Sequence, residues 1–126
     1  ALRGSDGRIL FLDLEYFGWD DPAKLIGDFI LHPAMNLSNE LKTNWIEGSE
    51  RLFGSDAIVR VKVMWPLLGL CWCLMLLNVY RRDIWARRVL AQSGIGSERN
   101  QIQDRQLRQS RKLLIELNEQ YQEFPY

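Results

Sequence analysis

The segment RILFLDLEYFGWDDP, residues 8–22, sets the reading of this chain. Its first half, Arg8 to Leu14, is apolar enough for a buried strand. It then runs into two carboxylates, Asp13 and Glu15, an aromatic turn through Tyr16 and Trp19, and two further acids, Asp20 and Asp21. Side chains alternate faces along a strand, so Ile9, Phe11, Asp13 and Glu15 share one side while Leu10, Leu12 and Leu14 share the other. Carboxylates two residues apart stand roughly 6–7 Å apart along the backbone. That is too wide for one shared proton. It suits a hydrated divalent cation, and Mg²⁺ in particular takes one or two carboxylates and completes its octahedron with water and phosphate oxygens. The same spacing equally fits a strand that ends where the chain meets water, its acids facing solvent.

Upstream of that segment, Ala1–Arg3 and Arg8–Leu14 flank the polar loop Gly4-Ser5-Asp6-Gly7, so a β-hairpin is expected over residues 1–15. A two-stranded hairpin is marginal alone, so it should lie on helices or on further strands. Its first arm is a stub and the chain starts at Ala1 rather than Met, which suggests a piece of a longer protein.

Downstream, the pattern turns helical, and a helical subdomain is expected over residues 20–122 within a single domain of 1–126. Asp21 before Pro22 reads as a cap and a first helical position, and His32-Pro33 stops that helix near Leu31. Ser38 opens a helix over about 39–52, with Leu41, Trp45 and Leu52 expected inward and Gly54 beyond its end. From Ser55 or Asp56 a long helix contains VMWPLLGLCWCLMLL, residues 63–77, with Pro66 marking a kink or break. These 15 apolar residues fall short of the roughly 20 a membrane span needs, which favours a central core helix. A further helix over 81–92 should bury Ile84, Trp85, Val89 and Leu90. Ser97 is expected to cap the last helix, whose buried stripe would be Leu107, Leu114, Leu117 and Tyr121, with a frayed tail over 123–126.

Equal numbers of acids and bases argue against nucleic-acid binding, which wants a basic surplus. The balance hides a gradient. Residues 1–56 hold ten acids against five bases, and residues 81–112 hold nine bases against three acids. An acidic front suits a metal site; the basic back, with Arg81, Arg82, Arg87 and Arg88, reads as a solvated helix face. Cys71 and Cys73 point in different directions on a helix and have no sequence neighbours for a zinc site, so both are expected to be buried, reduced thiols of a cytoplasmic protein. His32, the sole histidine, reads as a cap or surface residue.

ILFLDLEYFGWDDPAKLIGDF, residues 9–29, resembles the segment after the catalytic loop in the aminoglycoside phosphotransferase and choline-kinase-like family, whose fold is similar to protein kinases. In that family a hydrophobic strand ends in Asp-x-Glu, a small aromatic turn follows, and a helix carries an Asp a dozen or so residues on. The resemblance implies a mainly α fold with a short N-terminal β-hairpin, the C-terminal lobe of a kinase-like protein. It implies Mg²⁺ and ATP or GTP as cofactors of the complete protein, and a small-molecule hydroxyl acceptor as substrate. Asp13 would hold Mg²⁺, Glu15 would be the acid beside it, and Asp28 would support the catalytic loop, with Asp20 and Asp21 as alternatives for that place. Tyr16 and Trp19 are candidates for the substrate pocket, while core packing is the favoured role for Trp19.

The resemblance stops at residue 31. The family's catalytic loop, with its base Asp and metal-binding Asn, lies ahead of the hairpin and has no counterpart in this chain, nor does the nucleotide lobe. The expected function is therefore the C-terminal part of a small-molecule kinase, inert alone. A non-catalytic helical module that pairs with itself through an exposed apolar surface is the alternative. Neither reading calls for nucleic acid or membrane.

Overall fold

The computed structural model describes residues 2–10, 18–92, 95–121 and 124–126. It is mainly helical behind one small hairpin. Strands β1 (Leu2–Arg3) and β2 (Ile9–Leu10) pair antiparallel, Leu2 opposite Leu10 and Arg3 opposite Ile9. Gly7 sits at φ 81°, the left-handed conformation that glycine adopts without a Cβ clash. Asp6 locks the turn by accepting from the Arg8 backbone N–H and from Arg8 Nε. The Arg8 guanidinium holds the Asp6 carboxyl below its ordinary value.

The hairpin corrects one expectation. Leu2, Ile9 and Leu10 are all exposed, and no described helix touches the hairpin. The described arm of the strand is therefore not buried. Among the described residues, none of the helices packs against its apolar side chains.

Among the described residues five α-helices follow: α1 (Pro22–Leu31), α2 (Asn39–Phe53), α3 (Ser55–Leu76), α4 (Arg82–Ala91) and α5 (Arg99–Gln120). The capping signals mark the early boundaries well. The Asp21 carboxylate accepts from the Ala23 N–H with Pro22 at the first helical position, and the Ser38 hydroxyl accepts from the Leu41 N–H. Gly54, at φ 84°, ends α2 and starts α3 in a single residue. Ser97 falls inside a 3₁₀ turn (Ile95–Glu98), so α5 begins at Arg99 with Glu98 at its cap position.

The long helix α3 is the axis of the molecule. It packs on α1, α2 and α5, burying Ala57, Ile58, Val61, Trp65, Leu68, Cys73 and Leu76. It runs unbroken through Pro66, although that residue donates no backbone hydrogen bond. By length and composition, Ser55–Tyr80 would be able to cross a membrane, with a third of its most apolar window buried. Two small residues set the close approaches. A Cβ at Gly27 would stand 2.5 Å from Leu68 Cδ1, and one at Gly69 would meet the Leu117 side chain closer still. A reciprocal pair ties α3 to α5: the Ser110 hydroxyl donates to the Cys73 carbonyl at 3.2 Å, and the Cys73 thiol to the Ser110 carbonyl at 3.6 Å. A second, smaller cluster of Val79, Trp85 and Ile102 closes the far end.

Several inward assignments change. In α2, Ile46 and Ser49 are buried, Trp45 is half-buried, and Leu41 and Leu52 are exposed. In α4 only Trp85 is buried, while Val89 and Leu90 face out. The buried positions of α5 are Ile102, Ser110 and Leu117, while Leu114 and Tyr121 are exposed. Cys71 is exposed, so only Cys73 is a buried thiol, and burial pushes its pKa up. The tail is not frayed throughout: Phe124 and Tyr126 meet the Trp65 ring edge-on, at centroid distances of 5.1 and 5.9 Å.

Candidate functional site

Of the acids singled out in the sequence, Asp13 and Glu15 lie outside the described residues, as does Tyr16. Among the described residues no group of three or more His, Cys, Asp or Glu side chains could hold a metal. What the structure does describe is the acids at and just before α1 and the groups that neutralise them.

The 3.6-residue repeat of helix α1 places Lys24 and Asp28 on one face, and Asp20 stands two residues ahead of the helix. The Lys24 ammonium lies 2.6 Å from Asp28 Oδ2 and 3.9 Å from Asp20 Oδ2. Its hydrogen bond to Asp28 raises the Lys24 pKa, so the side chain stays charged. The Trp72 indole on α3 donates to Asp28 Oδ1 at 3.0 Å. Asp28 is thus half-buried between two helices, not an exposed helix acid. A carboxylate offers about four acceptor positions, and Lys24 and Trp72 take two of them.

Asp21 sits at the opposite edge of the same helix start. Beyond the Ala23 N–H it receives the Arg60 guanidinium, with Nε 2.9 Å from Oδ2 and both Nε and Nη2 3.2 Å from Oδ1. The backbone hydrogen bond from Ala23 first, and Arg60 second, hold its carboxyl below the usual carboxylate value. Asp21 is committed to capping α1 and pinning it to α3. That leaves Asp28, rather than Asp20 or Asp21, as the acid with spare acceptor capacity on a rigid support.

Trp19 is fully exposed, so it does not pack in the core. His32 ends α1, accepts from the Ala34 N–H at Nδ1, and sets its ring edge against Trp72, with the ring centroids 4.7 Å apart. The contacts of His32, Trp72 and Asp28 form one continuous line along α1. Sequence reasoning missed Lys24, Trp72 and Arg60 in this setting. For Lys24 the four-residue spacing to both Asp20 and Asp28 was a signal that could have found it; Trp72 and Arg60 are far from α1 in sequence, and nothing in their local pattern announces the contact. No protein-family model, curated protein or solved structure matches the chain.

Proposed function

We propose that this chain is the C-terminal helical part of a small-molecule kinase, which moves the γ-phosphate of a nucleoside triphosphate to a hydroxyl acceptor. The observation that carries the reading is the sequence ILFLDLEYFGWDDPAKLIGDF at residues 9–29, in which a strand, an acidic pair, an aromatic turn and a helix acid follow one another. In this reading Asp13 binds Mg²⁺ against the phosphates, with Glu15 beside it. Phosphoryl transfer is mostly positioning and electrostatic stabilisation, so a chain with a metal ligand but no base or nucleotide lobe is inert by itself.

Asp28 supports the reading in a second way. Two of its acceptor positions are used within this chain, and the remaining ones suit backbone N–H donors of a catalytic loop from the complete protein. The exposed hairpin fits the same picture, since its bare apolar side chains would pack on the preceding part of the lobe. The reading treats α3 as a core helix of a cytoplasmic protein, which should stay soluble without detergent.

A second reading is favoured by the outer face of α3. Val59, Val63, Leu67, Leu70 and Leu74 recur at three- and four-residue steps and are all exposed. A helical module that pairs with itself along this stripe would have no use for nucleotide. Titration with Mg·ATP and Mg·GTP, on this chain and on the complete protein, separates the two. The kinase reading expects saturable binding by the complete protein that disappears when Mg²⁺ is chelated. Absence of nucleotide binding by the complete protein would leave the self-associating module.

A further inference from the structure

At the C-terminal end of α1, the fold forms a half-open cavity of about 300 Å³. Its apolar wall is built from Leu31, Leu76, Leu113 and Leu117. Its charged rim carries Lys42 from α2 and Lys112 from α5, against the single carboxylate of Glu116. Among the described residues the rim is therefore cationic on balance. Lys112 is weakly engaged, 3.7 Å from Glu116 and largely exposed. Lys42 donates to the Tyr126 hydroxyl at 2.7 Å and lies 5.0 Å from that ring's centroid, which uses one of its three protons and leaves its charge without a carboxylate among its described partners.

A second observation lies in the same wall. Trp65 lines the cavity, is 4% exposed, and its indole N–H is buried with no hydrogen-bond partner among the described residues. Such an orphan donor is costly in a folded interior, where it has given up its bond to water and gained none in return. The other large indoles beside this core are satisfied: Trp45 donates to the Ile26 carbonyl and Trp72 to Asp28. Tyr126 meets the Trp65 ring edge-on and also lines the cavity, so the tyrosine that Lys42 holds touches the indole that carries the unpaired N–H.

We propose that this cavity is a binding site for a small amphiphilic anion, an apolar body carrying one carboxylate. The body lies on the leucine wall. The carboxylate takes Lys42 and Lys112, displacing the neutral Tyr126 hydroxyl from Lys42, because an ammonium bonds an anionic oxygen more strongly than a phenol. Movement of Tyr126 then opens the Trp65 N–H to the second carboxylate oxygen. The site does not depend on the kinase reading, since it lies at the far end of α1 and uses none of its acids.

The test is ¹⁵N NMR of the chain, following the Trp65 indole N–H during titration with 4-phenylbutyrate, and with 4-phenyl-1-butanol as the uncharged match. The Trp65 signal is identified from its loss in Trp65→Phe. The expected result is a saturable shift of the Trp65 signal with the acid, at least about tenfold weaker with the alcohol. Lys112→Met, at an exposed position that folding does not need, should weaken the acid about threefold or more, and Lys42→Met with Lys112→Met at least about tenfold. A Trp65 signal that stays still in millimolar acid overturns the proposal. So does equal binding of acid and alcohol, or acid binding that ignores both lysine substitutions in a folded double variant.

Discussion

At Asp21 a single carboxylate accepts the first N–H of α1 and the Arg60 guanidinium together, and this makes the start of α1 acid-sensitive. Its pKa is lowered in the folded chain, so its contribution is present above the ordinary carboxyl value and is lost as pH falls through the lowered one. Asp21→Asn keeps an acceptor for the cap and removes the charge. Urea unfolding should show the variant less stable than wild type at pH 7, with the gap shrinking toward about pH 3. A gap that stays constant across that range would mean the charge is irrelevant. Much at this scale was legible: Asp21, Pro22, Ser38 and Gly54 each carry a local signal for a helix end, and each acts there. Trp72 on Asp28 and the unpaired Trp65 were not, because both depend on which helices meet. Asp13 and Glu15, on which the functional reading leans, lie outside the described residues.

At the scale of elements, helix positions follow from the sequence more readily than their buried faces. Apolar spacing in α2 offered Leu41, Trp45 and Leu52 as an inner stripe, but the helix turns Ile46 and Ser49 inward. In α4 and α5 the same competition between stripes is decided by the partner, α3 and the turn after it, not by local periodicity. Gly69 is the clearest case of that partner's demand. An alanine there meets Leu117, so Gly69→Ala should destabilise the fold by about 1–3 kcal/mol even though alanine favours a helix. With Leu117→Ala already in place the cost should vanish, because the clash is gone. Chemical denaturation of the two single variants and the double variant measures this coupling. Additive effects would mean that the two helices do not touch where the structure has them meet.

For the whole molecule, the arrangement is a central helix covered on one side and bare on the other. Val59, Val63, Leu67, Leu70 and Leu74 make an apolar strip about 22 Å long at 1.5 Å per residue. Val63 and Leu74 are among its most exposed members, so Val63→Lys with Leu74→Lys should leave unfolding stability within about 0.5 kcal/mol of wild type. The same pair should abolish any concentration-dependent association seen by sedimentation equilibrium. A large loss of stability would place the strip inside the fold. The mainly helical architecture and the leading hairpin were legible from hydrophobic period and turn residues. The bare strip was not, because a long apolar run looks alike whether one side or all sides are covered. The phosphotransferase reading meets its most direct test in the steady-state phosphoryl transfer of the complete protein with Asp13→Asn. Loss of a metal ligand predicts a fall in kcat of at least about a hundredfold with the fold intact; turnover equal to wild type would contradict it.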